Sequence, residues 1–225
     1  MILSTTNKTY NVVDYFGNKI FTLNDNWEYI SSITSFRAPT CMIVVNDTIY
    51  ISGDANVWKT DINLNIIHQY NDTGTPLNRG IYTDSVYSLV YVSAFQFKRI
   101  DIFDLDLNLN DSISLSVNPW AITICNNQLI VGTSAGTILT IVNKTIINSI
   151  YGCNGNSVTI TSIVFNECGF VITSCDNPVN QVFLYYSNGS FIGKSISTPY
   201  RPFVIGFDSK NRFYILSMNQ ISLFN

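Results

Sequence analysis

The feature that most constrains this chain is a repeat. An opening strand can be read five times, at residues 39–45, 80–84, 119–124, 160–165 and 202–207. The starts at 39, 80, 119, 160 and 202 are separated by 41, 39, 41 and 42 residues. A fixed period of this length marks an array whose units bury their apolar faces only by stacking on neighbours. A second strand follows each opening strand, at 49–52, 89–93, 129–132, 170–173 and 213–217. A third strand is read six times, anchored at Val12, Val57, Ile100, Ile138, Val182 and Ile221. Its turn into a fourth strand is clearest at Phe16-Gly17-Asn18-Lys19 and Ser187-Asn188-Gly189-Ser190, where Asn and Gly tolerate positive φ.

Apolar residues alternate or come in short bursts bounded by Asn, Asp, Gly and Ser, so strands are expected and no helix competes. The stretch 24–35 reads as an irregular strand or a long loop. Hydrophobic residues make up 46% of the 225 and charged residues 12%. That charge content is half the usual ~25%. It suits half-buried pleated faces carrying Tyr, Phe, Ile and Val.

Four antiparallel strands in a unit of roughly forty residues is the arithmetic of a propeller blade. The fold class expected is therefore all-β, a β-propeller of four-stranded antiparallel blades in one domain spanning 1–225. The repeat windows are 1–25, 36–72, 77–115, 117–151, 157–196 and 199–225. Six third strands imply six blades, with five as the alternative. The first window starts on what resembles a second strand (Ile2-Leu3-Ser4 beside Ile215-Leu216-Ser217), and the last ends on a third strand. One first and one fourth strand are then missing. Either the ring closes imperfectly or the chain is a piece of a longer protein.

Asn180-Gln181-Val182-Phe183-Leu184-Tyr185-Tyr186-Ser187-Asn188-Gly189, Tyr200-Arg201-Pro202-Phe203-Val204-Ile205-Gly206-Phe207-Asp208 and Asn211-Arg212-Phe213-Tyr214-Ile215 together resemble the NHL repeat. That family reads as an aliphatic strand, a turn with Gly, a Pro-led strand ending in Asp, and a further aliphatic strand. The resemblance covers nearly the whole chain, loosely in residues. The copy around 78–93 departs most, with Gly80 where others carry Pro. None of Trp27, Trp58 and Trp120 precedes an Asp, and no two glycines are adjacent, so WD40 and kelch patterns are absent.

The resemblance implies that opening strands line an axis and fourth strands lie at the rim. Arg37, Arg79 and Arg201 stand just before the opening strands of three repeats, where they would meet a carboxylate or phosphate near one channel mouth, or else bond to loop carbonyls. Tyr82, Trp120, Tyr200 and Phe203 belong to the same neighbourhood, as an aromatic binding surface or as core. No catalytic residue is assigned. The lone His68 falls on a fourth strand, and metal sites of this type need more such ligands. Lyases and lactonases on six-bladed propellers gather His, Glu or Asp around an axial metal, whereas this chain has only Glu28 and Glu167 as glutamates. No metal and no cofactor are therefore expected. The run Asp104-Leu105-Asp106-Leu107-Asn108-Leu109-Asn110 lacks the Gly and Glu of a calcium loop and reads as a strand face with leucines inward.

Cysteines stand at 41, 125, 153, 168 and 175, with no CxxC. The repeat register puts Cys153 and Cys175 in loops on one face of a unit, and Cys125 and Cys168 near turns on the other. Disulfides Cys153–Cys175 and Cys125–Cys168 follow as hypotheses, with Cys41 buried and reduced. Sequons occur at Asn7, Asn46, Asn71, Asn110, Asn143 and Asn188, about as many as chance yields in a chain this rich in Asn, Ser and Thr.

The functional expectation is a non-enzymatic scaffold presenting loops at one channel mouth to a protein or peptide. The alternatives are an RNA-binding NHL-type propeller, a hydrolase or lyase with an unrecognised axial site, and a glycan binder. Net charge −3 and a pI of about 4.9 argue against nucleic acid, which calls for clustered Lys and Arg. No apolar stretch reaches the ~20 residues of a membrane span, and the first residues lack a signal-peptide pattern. The compartment stays open: cytoplasmic, or a fragment of an extracellular protein. The oligomeric state stays open too.

Overall fold

The computed structural model describes residues 2–4, 9–74, 77–165, 170–176, 178–186, 190–207, 212–217 and 220–224. They form six antiparallel sheets, each built from strands in chain order. The chain divides into two units, Met1–Leu115 and Ser116–Asn225. Among the described residues the only helical segment is a 3-10 turn, Cys153–Gly155, so no helix is long and apolar enough to cross a membrane.

The first unit holds three four-stranded sheets. The first comprises β1 (Ile2–Ser4), β2 (Tyr10–Asp14), β3 (Lys19–Leu23) and β4 (Tyr29–Ile33). The second comprises β5 (Pro39–Val45), β6 (Thr48–Gly53), β7 (Asn56–Asp61) and β8 (Ile66–Asn71). The third comprises β9 (Asn78–Asp84), β10 (Leu89–Ala94), β11 (Arg99–Asp104) and β12 (Leu109–Ser114).

The second unit begins with β13 (Pro119–Cys125), β14 (Gln128–Thr133), β15 (Thr137–Val142) and β16 (Thr145–Tyr151). Its second sheet comprises β17 (Ile160–Phe165), β18 (Phe170–Cys175), β19 (Gln181–Tyr186) and β20 (Phe191–Ser197). The last, three-stranded sheet holds β21 (Pro202–Phe207), β22 (Phe213–Ser217) and β23 (Ile221–Phe224).

All five opening strands read from the sequence are strands here. The first sheet corrects the sequence reading. Val12 lies in β2, the second strand, because β1 pairs outside it (Ile2 opposite Val12) and β3 and β4 follow. The ambiguous stretch holds β4, a true fourth strand. Phe16-Gly17-Asn18-Lys19 therefore turns between second and third strands. The other cited turn, 187–189, lies outside the described residues. A first strand is thus present, and among the described residues the last sheet is the one with three strands.

Local chemistry sets the hairpins. Asn46-Asp47, Asn126-Asn127 and Asn143-Lys144 all have positive φ at both positions. They close two-residue loops whose twist matches that of the flanking strands. The third-to-fourth loops of the first three sheets use a different device. Asp61 Oδ1 accepts from the backbone N–H groups of Asn63 and Asn65, and Asp104 Oδ1 from those of Asp106 and Asn108. Asn24 does the same for Asn26 and Glu28. Leu64, Leu107 and Trp27 occupy the left-handed position of these loops. The run from Asp104 to Asn108 is therefore an Asx-capped loop, not the strand face read from its alternation. Leu107 does point inward, while Leu109 is exposed.

The core lies between consecutive sheets within each unit. Ile20 and Phe36 meet Met42, Ile49 and Trp58 between the first two sheets. Tyr50 and Val57 meet Ile81, Val90 and Phe103 between the next two. In the second unit, Ala121, Ile130 and Ile138 meet Ile160, and Ile172 and Val182 meet Ile205 and Ile215. Each full burial of such an aliphatic or aromatic side chain contributes about 1.5–3 kcal/mol. This explains successive apolar positions along the inner strands: both sheet faces are covered.

Candidate functional site

One end of each sheet carries the start of the opening strand and the turn joining second to third strand. A bulge recurs at that end. Register shifts fall between Pro39 and Cys41, Pro119 and Ala121, Ile160 and Ser162, and Pro202 and Val204. The corresponding shift opposite β9 falls between Val92 and Ala94. The residues left over are Thr40, Trp120, Thr161 and Phe203. A bulge re-aims the side chain it carries. The sequence pattern hid this, because strands covered on both faces carry apolar residues in succession and show no alternation whose phase an extra residue would reverse.

At two of these bulges the side chain ties sheets together. Thr40 Oγ1 donates to the carbonyl oxygen of Asn78 at 2.7 Å and lies 3.0 Å from Ser52 Oγ. Thr161 Oγ1 donates to the carbonyl oxygen of Pro202 at 2.6 Å and lies 2.8 Å from Ser174 Oγ. The Thr/Ser pair thus links one opening strand to the next in each unit.

In the first unit the candidate site gathers around Arg79, at the start of β9. Its guanidinium carbon lies 5.3 Å from the Tyr15 ring centroid and 5.8 Å from that of Phe95. Tyr15 and Phe95 come from the second-to-third turns of the first and third sheets. The Tyr15 hydroxyl donates to Asp54 Oδ1 at 3.3 Å, in the equivalent turn of the second sheet. Three sheets therefore contribute to one arginine-aromatic cluster. Phe16 stands edge-on to Tyr15 with centroids 5.2 Å apart, and is 84% exposed. Arg37, just before β5, is exposed. Tyr82 lies on β9, half-buried, opposite Tyr91. Tyr15, Phe16, Asp54 and Phe95 escaped the sequence reading. The turn positions were legible, but which turns face Arg79 was not.

An ion cluster occupies the same end of the third sheet. Arg99 Nε donates to Asp101 Oδ1 at 2.7 Å, and Arg99 Nη2 to Asp72 Oδ2 at 3.0 Å. Burial raises the Asp101 carboxyl above its ordinary value, against the pull of Arg99. The two carboxylates engage Nε and Nη2 of this arginine, which makes the cluster a structural tie more than a binding group.

In the second unit, Arg201 Nε lies 2.6 Å from Asp176 Oδ1, and its guanidinium carbon sits 4.7 Å from the Phe203 ring centroid. Tyr200 is exposed, and its carbonyl oxygen accepts from Thr198 Oγ1. Trp120 packs, half-buried, against the core between the unit's first two sheets. Arg37 and Arg79 thus share one unit, while Arg201 is engaged within the other.

Cys153 and Cys175 are joined by a disulfide, with Cα atoms 5.7 Å apart and both residues fully buried. It ties the loop before β17 to the end of β18. The Asn154 N–H in that loop donates to the Tyr185 hydroxyl. Cys125 is a free, buried thiol and not half of a second disulfide; it packs into the apolar core at the end of β13. Its once-expected partner, Cys168, lies outside the described residues. Cys41 is half-buried on β5, not fully enclosed. His68 is exposed on β8, opposite Lys59. Among the described residues, no three His, Cys, Asp or Glu side chains are grouped as metal ligands would be.

Six sheets of this kind define the chain as a six-bladed β-propeller in fold class. No family model matches the sequence, and no curated protein matches it significantly. Solved structures do resemble it. A streptogramin B lyase structure aligns with 100% of this chain and 81% of its own, at 16% identity and TM-score 0.75. A chain in a crystal structure of the mitotic checkpoint complex aligns with 99% of this chain and 72% of its own, at 11% identity and TM-score 0.75. A protein of unknown function from Bacteroides caccae aligns over 85% of this chain and 78% of its own, at 10% identity and TM-score 0.69. At such identities the likeness is one of fold.

Proposed function

We propose that this chain is a non-enzymatic binding scaffold. In this reading the loops at the opening-strand end engage a protein or peptide through acidic groups, as an NHL-like propeller would. The observation that carries it is the Arg79 guanidinium held between Tyr15 and Phe95, with exposed Phe16 and Arg37 on the same end of that unit. Arginine and large aromatics are the side chains that concentrate binding energy at protein interfaces. A guanidinium braced on ring faces presents positive charge and planar donors of the kind that pair with carboxylates. A propeller of similar fold occurs in the mitotic checkpoint complex, a protein assembly, which agrees with this reading.

The test uses fluorescently labelled peptides rich in Asp and Glu, matched Asn and Gln peptides, and anisotropy as readout. The acidic set is expected to bind more tightly, and Arg79→Ala to weaken it about tenfold or more, the worth of one charged hydrogen bond. Equal binding of both sets, or an unaffected Arg79→Ala variant, overturns the proposal. The likeness to a lyase favours a second reading, an enzyme. An acidic cluster completed by residues outside the described set would support it, and so would turnover abolished by carboxylate substitutions.

A further inference from the structure

The outer strands β8, β12 and β16 are sheet edges that present apolar side chains to solvent. Ile66 and Ile67 on β8 are 44% and 59% exposed, and Ile146 and Ile147 on β16 are 42% and 57% exposed. Leu109 opens β12, also exposed. Neither β8 (IIHQYN) nor β16 (TIINSIY) carries a Lys, Arg, Asp or Glu. Uncharged apolar edges invite strand pairing between molecules, and proteins guard them with charge, proline, bulges or a cover. Charge is thus absent from β8 and β16 and limited to Asp111 on β12, and a single bulge against the neighbouring strand is the guard each edge has.

Each of these edges also carries a sequon. Asn71 ends β8, Asn110 lies in β12, and Asn143 sits in the turn that enters β16. All three asparagines are exposed, and so are the hydroxyl residues that complete the motifs, Thr73, Ser112 and Thr145. Asn71 Oδ1 accepts from Gln69 Nε2. The number of sequons alone carries no weight; their placement on these exposed apolar edges does. The Cys153–Cys175 disulfide is an independent pointer, since such bonds persist in the oxidising compartments where sequons are used.

We infer that Asn71, Asn110 and Asn143 carry N-linked glycans that shield the apolar outer edges of their sheets. At each site the asparagine Nδ2 forms a bond to the anomeric carbon of a lipid-pyrophosphate-linked oligosaccharide. The anomeric C–O bond breaks, the lipid pyrophosphate leaves, and the amide nitrogen gives up one proton. A bulky hydrophilic chain then stands where a second strand would dock.

The first experiment isolates the full chain from its source cells and treats it with peptide N-glycosidase in heavy-oxygen water, followed by peptide mapping. Heavy-oxygen-labelled Asp is expected at 71, 110 and 143; unlabelled Asn at these positions overturns the inference. The second compares chains secreted from a eukaryotic cell. The Thr73→Ala, Ser112→Ala, Thr145→Ala triple variant removes the motifs, and Thr73→Ser with Thr145→Ser keeps them. Weight-average mass by light scattering is expected to rise at least about twofold in the first and stay monomeric in the second, as exposed edges pair. A triple variant that stays monomeric overturns the shielding role.

Discussion

Arg79 of β9 and Tyr15 of the β2–β3 turn stack with the guanidinium carbon 5.3 Å from the ring centroid, and the ring's hydroxyl is held by Asp54. Tyr15→Phe keeps the stack and loses only the hydrogen bond to Asp54, a cost of about 0.5–1.5 kcal/mol. Tyr15→Leu also loses the cation–π contact, adding about 0.5–1 kcal/mol. Urea denaturation should rank the variants wild type, Phe, Leu. Equal midpoints would show that Tyr15 does not hold Arg79.

The Cys153–Cys175 bridge closes a segment with a sequence separation of 22. A cross-link of that span removes about 3 kcal/mol of loop entropy from the unfolded chain. The Cys153→Ala, Cys175→Ala double variant should lose stability of that order in denaturant. Both sulfurs are buried, so mild reductant should leave the native bond intact until the chain opens. Rapid reduction without unfolding would contradict the burial.

Thr161 donates to Pro202 O and neighbours Ser174, all within the second unit. Thr161→Val keeps the shape and strands a buried carbonyl, so about 1–3 kcal/mol should be lost. Thr40→Val should behave alike in the first unit, because Thr40 meets Asn78 and Ser52 in the same way. Hydrogen exchange should quicken in the two opening strands joined by each threonine. Uniform exchange across the chain would deny the threonines this linking role.

Asp61 and Asp104 are held below the ordinary carboxylate value, chiefly by the side-chain amides of Asn65 and Asn108 and then by their backbone N–H groups. A folded value below the unfolded one, about 3.9 for Asp, means a contribution fully present above that value. It is lost as pH falls through the lower folded value. Thermal melts should therefore show Tm dropping below about pH 4. Asp61→Asn with Asp104→Asn should start lower at pH 7 and fall less steeply. A variant with an unchanged acid slope would remove these carboxylates from the account.

The strands after residue 39 were legible because each pairs a burst of β-branched and aromatic residues with an Asn, Asp or Gly turn. The first sheet was misread for a physical reason. β1 lacks the Pro that opens three of the other first strands, and Ile2-Leu3-Ser4 mimics a second strand. The Asp61 and Asp104 loops carried the same signal twice, Asp-x-x-Leu-Asn, but their alternation imitates a strand. The arginines were found by position in the repeat, whereas the rings around Arg79 were not.

Repeat period and the strand order of the sheets after residue 39 are local properties, decided by which φ, ψ and burial each residue tolerates; the sequence alone determined them. The Tyr15–Arg79–Phe95 stack, the Thr40 and Thr161 links and the burial of Cys125 as a thiol depend on side chains from separate sheets meeting at fixed distances. Only the tertiary structure decided those, because bulges and sheet stacking aim side chains in directions that no spacing along the chain records.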